Sequence, residues 1–153
     1  MNTDNCRFCG NKLSQIFLDL GTTPLANSFL SKSDLNNNES FFPLQVYVCE
    51  KCYLFQLKQF KTPDEIFSNY AYFSSYSSSW LKHAENYVEM ILERFPLNQN
   101  SLVIELASND GYLLQYFNKK NIPILGIEPA ENIAKIAIEN NIDTTVDFFS
   151  ENL

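Results

Sequence analysis

All four cysteines of this chain lie in its first third, as two matched pairs, Cys6-Arg-Phe-Cys9 and Cys49-Glu-Lys-Cys52. Two intervening residues let both thiols of a pair face one ion across a tight turn. Two such pairs supply the four thiolates of a tetrahedral structural zinc site. Gly10 follows the first pair, where such a knuckle needs a positive φ. Arg7, Lys12 and Lys51 lie in or beside the pairs and help offset the two net negative charges of a tetrathiolate zinc centre. Four thiolates leave no open coordination position, so the expected role is structural, and a core this small is expected to need the ion to fold. Redox dithiols and unpaired thiols are the alternatives, and the matched pairing counts against both.

The 39 residues between the pairs, 10–48, are too many for a short ribbon and need structure of their own. Residues 16–21, 42–48 and 53–57 have strand character. After Phe60 the pattern turns helical: Thr62-Pro63-Asp64-Glu65 places a cap, a first-turn proline and acids at a helix start, continuing to Phe67. A hydroxyl- and aromatic-rich stretch, residues 70–79, leads into a long amphipathic helix. Its buried face is expected to carry Trp80, His83, Ala84, Tyr87, Val88, Ile91, Leu92 and Phe95, and Pro96 closes it.

From residue 101 strand and helix patterns alternate: strand 101–106, helix 111–120, strand 124–127, helix 130–140, strand 142–146. Such repeats build right-handed parallel units. The expected fold class is α/β: a small β-rich zinc domain with four cysteine ligands at 1–61, a helical connector at 62–100, and the first half of a Rossmann-like sheet at 101–153.

Charge and hydropathy narrow the function. A net charge of −7 and a pI near 4.6 argue against nucleic acid and anionic membrane as partners. No apolar run approaches the roughly 20 residues of a spanning helix. The first residues, Met-Asn-Thr-Asp-Asn, carry no basic or apolar leader signal, so a reducing, cytoplasmic location is expected.

Ligands of doubly wound sheets bind beyond the carboxyl ends of the strands. Here those ends carry Glu105-Leu106-Ala107-Ser108-Asn109-Asp110-Gly111, then Glu128-Pro129, then Asp147-Phe148-Phe149. The first loop bends tightly into a helix, with Asn109 and Gly111 suited to unusual dihedrals. Glu128 ends the second strand, where a carboxylate can accept both ribose hydroxyls. Asp147 and the rings after it suit an adenine amino group and face. Glu105 and Asp110 are poor neighbours for a pyrophosphate but good ones for an ammonium and a sulfonium. That balance favours S-adenosylmethionine over NAD, and a nicotinamide enzyme is the weaker reading.

Together these motifs make the chain similar to the zinc-containing class I methyltransferases that C-methylate nucleotide-linked 4-keto-deoxysugars. The resemblance runs from Cys6-x-x-Cys9 through Leu18-Asp19-Leu20-Gly21-x-x-Pro24-Leu25-Ala26-Asn27, Cys49-x-x-Cys52 and Tyr70-x-Tyr72-x-Ser74-Ser75 to the three strand ends. It implies a nucleotide-linked sugar substrate, Tyr72 as an active-site tyrosine, and Ser74 and Ser75 near the cofactor. With the strand ends this makes Ser74, Ser75, Glu105, Ala107, Ser108, Asn109, Gly111, Glu128, Pro129, Asp147 and Phe148 the expected cofactor residues. Phe73 stands where the family often has a histidine. Family members have a seven-stranded sheet and a later acid–base cluster. This chain is therefore expected not to methylate a sugar alone, the rest coming from a partner chain or lost in a fragment.

Blander readings stay open. His83 is read as a hydrogen-bonded core residue or a ligand-side group. Tyr70, Tyr72 and Tyr76 could simply pack a joint, and Ser77-Ser78-Ser79 could only cap the helix at Trp80. Glu85, Glu89 and Glu93 read as a solvated face. The competing functional reading is a non-catalytic, zinc-stabilised module that binds a nucleotide sugar or a partner chain; a third is an inactive fragment.

Overall fold

A computed structural model describes residues 4–151 and 153; residues 1–3, part of the stretch read for a leader, lie outside it. The chain forms two compact units, residues 1–62 and 63–153. The architecture is mixed α/β, with an antiparallel sheet in the first unit and a parallel sheet in the second.

The first unit contains strands β1 (Gln15–Thr23), β2 (Phe42–Val48) and β3 (Phe55–Leu57), in the order β1-β2-β3. Val48 stands opposite both Gln15 and Phe55. The β1–β2 register shifts between Asp19 and Thr22, where Gly21 takes φ +79°. The Asp19 carboxylate fixes that irregularity, accepting from the Gly21 N–H at 2.8 Å and Gln45 Nε2 at 2.7 Å. Among the described residues the unit's buried apolar cluster is Cys6, Leu13, Tyr47 and Cys49, with Cys9 and Cys52 against it. Phe17 and Phe55 meet edge to face at 4.7 Å yet both stay more than half exposed.

The second unit begins with α1 (Pro63–Phe67), a 3-10 turn at Ser74–Tyr76 and α2 (Ser78–Arg94). It continues through β4 (Val103–Leu106), α3 (Leu114–Asn118), β5 (Ile124–Ile127), α4 (Glu131–Glu139) and β6 (Thr144–Thr145). The sheet is parallel in the order β4-β5-β6, with Val103 opposite Ile124 and Gly126 opposite Thr144. Val88, Leu114, Phe117, Ile122, Ile124, Ala137 and Ile142 form its core. The stretch expected as a connector thus lies within this unit, since Val88 of α2 belongs to the same core. Among the described residues no helix is long and apolar enough to cross a membrane.

Three elements differ from the sequence expectation. The third strand shrinks to two residues because Ile142 serves the exit turn of α4, donating its N–H to Ala137 at 3.0 Å while its side chain fills the core. The helix expected from residue 111 starts at Leu114, since Gly111 at φ +78° cannot be a helical residue. The buried stripe of α2 is Ala84 and Val88 with Ile91 and Leu92, whereas His83 and Tyr87 are exposed. His83 sits one residue, about 100° around the axis, from Ala84; it stacks on Trp80 with ring centroids 5.0 Å apart. The helix cap is as expected: Ser77 Oγ accepts from the Trp80 N–H.

Candidate functional site

The four cysteine sulfurs all lie within 4.8 Å of one another. Cys6 and Cys52 approach to 3.6 Å, Cys9 and Cys49 to 3.5 Å. A Zn–S bond of about 2.3 Å in a tetrahedron sets sulfurs about 3.8 Å apart, so the cluster fits that ion. Backbone N–H groups of Cys9 and Phe8 and the Gln56 amide hold the Cys6 thiol pKa down to about 6. At Cys49 the N–H groups of Cys52 and Lys51 also lower the pKa. Cys52 has the N–H of Leu54 to lower it, but burial and the neighbouring thiols Cys9, Cys49 and Cys6 push it up to about 12. Four sulfurs this close repel one another once they are deprotonated, and a bound cation offsets that repulsion. Gly10 takes the positive φ expected of it, +72°.

Gln56 is not legible in the sequence as part of this centre. It is buried, donates to Cys6 Sγ at 3.1 Å and accepts from the Arg7 N–H at 3.0 Å, joining β3 to the first knuckle. Arg7 itself reaches the Leu57 carbonyl, not a sulfur.

In the second unit a cavity of about 580 Å³ opens at the carboxyl ends of the parallel strands. Six of the residues expected to touch a cofactor line it: Ser74, Ala107, Asn109, Glu128, Pro129 and Phe148. Pro63, Phe67, Tyr70, Leu106, Tyr112, Ile127 and Phe149 complete the wall and make it largely apolar. Phe67 and Tyr112 carry no clear signal in the sequence, because only the fold brings the end of α1 and the turn before α3 to the strand ends, whereas Tyr70 belongs to the tyrosine- and serine-rich motif.

The remaining expected residues stand elsewhere. Ser75, Glu105, Ser108, Gly111 and Asp147 are not among the lining residues. Asp147 is exposed and its carboxylate accepts from the Phe148 N–H at 2.7 Å, so it shapes its own loop. Gly111 is a packing residue: a Cβ there would lie 2.8 Å from Ile142 Cγ1. Ser108 is fully buried against Gly126, where a Cβ would meet its Oγ. Tyr72 is exposed and does not line the cavity; its carbonyl accepts from Asn109 Nδ2 at 3.1 Å.

That last bond belongs to a strap, residues 70–75, held to the sheet unit by three side chains. Asn109 accepts from the Ser74 N–H at 2.8 Å while donating to Tyr72. Asn132 of α4 does the same at Tyr70, accepting from its N–H at 3.1 Å and donating to its carbonyl at 2.8 Å. Asp110 Oδ2 accepts from both the N–H and the hydroxyl of Ser75, at 3.0 and 2.6 Å. An amide side chain can satisfy one backbone N–H and one C=O together, which suits asparagine to this clamping. The loop turns through left-handed backbone at Ala107, Asn109 and Gly111, with φ +57°, +51° and +78°, a conformation that glycine adopts freely and alanine only under strain.

Glu128 is buried, and its two oxygens accept from the Asn109 N–H and the Ala130 N–H, each at 2.9 Å. A carboxylate has about four acceptor positions, so room remains on it for two further donors. Glu105 is different. Its Oε2 is buried without a hydrogen-bond partner, and burial followed by the Asp110 and Glu128 charges pushes its pKa up to about 8. Asp110 Oδ1 and Ser108 Oγ are likewise buried and unpartnered. Orphaned acceptors among crowded carboxylates fit a ligand carrying positive charge.

Residues 6–67 match the family model described as "Putative zinc binding domain". Over 141 residues, 92% of this chain, the sequence is 35% identical to "C-methyltransferase NovU" of Streptomyces niveus. Those residues are 34% of NovU, so the chain spans about a third of the length of this curated relative. Both likenesses agree with the resemblance read from the motifs: a metal-binding segment around the four cysteines, and a C-methyltransferase along nearly the whole chain.

Proposed function

We propose that this chain is the cofactor-binding portion of an S-adenosylmethionine-dependent C-methyltransferase acting on a nucleotide-linked 4-keto-deoxysugar, with structural zinc in its first unit. The observation that carries the reading is the cavity at the strand ends, lined by Glu128, Asn109 and Phe148 together with Leu106 and Ala107, the two residues after Glu105. The 35% identity to a protein named as a C-methyltransferase supports the same reading.

When bound, S-adenosylmethionine supplies an electrophilic methyl on a sulfonium. The chain's own residues bind and orient. Glu128 uses its spare acceptor positions for ribose hydroxyls, Phe148 and Phe149 offer ring faces to adenine, and the carboxylates favour the cationic end. A pyrophosphate would meet those carboxylates instead, which disfavours NAD. On this reading Tyr72, exposed on the strap, meets the sugar acceptor, where its phenol can hydrogen-bond a ketone oxygen. The strap bonds from Asn109, Asp110 and Asn132 set its position. Further acid–base groups come from the part of such an enzyme that this chain does not span, on the same polypeptide or on a partner chain.

Calorimetric titration of the zinc-loaded chain tests this. The expected result is saturable binding of S-adenosylmethionine, none of NAD, and at least tenfold weaker binding in Glu128→Gln. Absence of binding in a folded chain would sink the reading. It would favour a non-catalytic zinc module, whose support is the apolar sheet face around Phe17 and Phe55.

A further inference from the structure

Glu128 stands where two separate clamps meet. It is buried just beyond β5, and its two oxygens hold two different segments of the chain. Oε2 accepts from the Asn109 N–H at 2.9 Å, and Oε1 accepts from the Ala130 N–H at 2.9 Å. Each of those segments goes on to grip the strap of residues 70–75. The Asn109 side chain brackets Phe73, accepting from the Ser74 N–H at 2.8 Å and donating to the Tyr72 carbonyl at 3.1 Å. Ala130 caps α4, and Asn132 in the first turn of that helix holds Tyr70 by its N–H at 3.1 Å and its carbonyl at 2.8 Å. Asp110, next after Asn109, takes the N–H and hydroxyl of Ser75. Two asparagine amides thus tie the strap to the strand ends, and both lead back to one carboxylate.

Residue 109 meets three demands at once. Its backbone is left-handed at φ +51°, its N–H faces Glu128, and its side chain both donates and accepts. Asparagine tolerates that φ better than most residues and carries both hydrogen-bonding functions. Aspartate would lose the donor to Tyr72. The cavity lies between the parts so joined. Phe67, Tyr70 and Ser74 line it from the strap side, and Asn109, Glu128 and Pro129 from the strand ends. A ligand filling it touches both walls, so the strap cannot lift without giving up ligand contacts. A ligand that binds only the clamped form stabilises that form as its concentration rises above its dissociation constant.

We propose that Asn109 and Asn132 couple the cofactor site to the acceptor site: a ligand held at Glu128 fixes the strap, and the strap sets Tyr72 for the sugar. The inference rests on the reading proposed above and adds an order to it, cofactor first and acceptor second. Tyr72 is more than half exposed, and the bond from its carbonyl to Asn109 joins it to the loop at the strand ends. Coupling is reciprocal, so whatever loosens the strap weakens cofactor binding by the same factor. Asn132 does not line the cavity, and its effect on binding runs through Tyr70, which does. Both asparagines are positioning residues.

Amide hydrogen exchange by NMR on the zinc-loaded chain reads the coupling at Tyr70, Ser74 and Ser75, whose N–H groups make the strap bonds. With S-adenosylmethionine at about 100 times its dissociation constant, exchange at these amides should slow by about tenfold or more. Asn132→Ala, a change that a helix accepts, should speed exchange at Tyr70 in the free chain. It should also weaken S-adenosylmethionine binding about fivefold in calorimetric titration. Asn109→Gly keeps the left-handed backbone and the N–H that faces Glu128 but removes the amide, and it should release Ser74 in the free chain. Slowed exchange at residues 128–130 with the strap amides unchanged would overturn this inference and leave the cofactor reading intact. Unaltered affinity in Asn132→Ala would do the same. Absence of S-adenosylmethionine binding in the folded, unaltered chain would overturn both.

Discussion

The two units of this chain are held together by different physics. Among the described residues the first has four buried apolar side chains, two of them from the cysteine cluster, and a sheet whose strand β1 is exposed along almost its whole length. The second has a core of seven buried residues drawn from α2, α3, β5 and α4 and the segments joining them. Such a core is self-sufficient in kind, because burying each large aliphatic side chain contributes about 1.5–3 kcal/mol. The first unit instead leaves large apolar side chains such as Phe17, Leu20 and Phe29 exposed, so a metal ion tying residues 6–9 to residues 49–52 is expected to supply much of its order. Where a protein needs only a rigid platform, a metal and a few hydrogen bonds suffice.

Removing the metal gives the sharpest contrast. Chelation, or Cys49→Ser, should abolish the order of the first unit, since structural zinc in small domains contributes on the order of 10 kcal/mol. The cooperative melt of the second unit should persist, and amide NMR read separately over residues 4–57 and 84–145 would show it. Simultaneous collapse of both sets of signals would break the comparison. Leu114→Ala reverses the experiment. Leu114 is fully buried in the second core, so truncation should cost that unit about 2–5 kcal/mol in denaturant unfolding while zinc affinity stays unchanged.

Smaller effects sharpen the contrast by separating charge from packing. The Glu105 carboxyl has a pKa of about 8 in the fold against an ordinary 4.5, raised by burial and then by Asp110 and Glu128. A raised carboxyl pKa means that its stabilising contribution is full below about pH 4.5 and is lost as pH rises through about 8. Thermal melts of the second unit should therefore weaken by about 1–3 kcal/mol from pH 5 to 8.5, and Glu105→Gln should flatten that slope. In the first unit, Gln56→Ala removes the donor to Cys6 Sγ and leaves the four ligands in place. Competition against a chromophoric chelator should show zinc affinity lower by about tenfold, the scale of a lost outer-shell bond.

How much of this can be read from the sequence follows the same division. The metal centre is nearly complete in the spacing of four cysteines, because thiolate chemistry is local and a two-residue gap admits few geometries. The alternation from residue 101 onward likewise carries the parallel sheet, and the strand ends, with Ser74 from the strap, name six of the cavity's lining residues. What the sequence conceals is every role that depends on a distant partner. Asn132 has nothing in its neighbourhood to mark it, yet it clamps Tyr70 across 62 positions. Gln56 reads as a polar strand residue, and only the fold puts it beside Cys6. A periodicity that tolerates a wide stripe puts His83 on a buried face; packing selects the narrower one through Ala84 and Val88. Glu128 reads as a ribose acceptor, and its engagement with two backbone N–H groups shows that it also braces the loop on which the cavity depends.

Hydrogen exchange of the zinc-loaded chain, with and without S-adenosylmethionine, tests the central claim most directly, because it reports where a ligand acts as well as whether it binds. The account predicts slowed exchange at residues 105–111, 128–130 and 147–149, the three strand ends that surround the cavity. Unchanged exchange across those three segments at saturating ligand would contradict it.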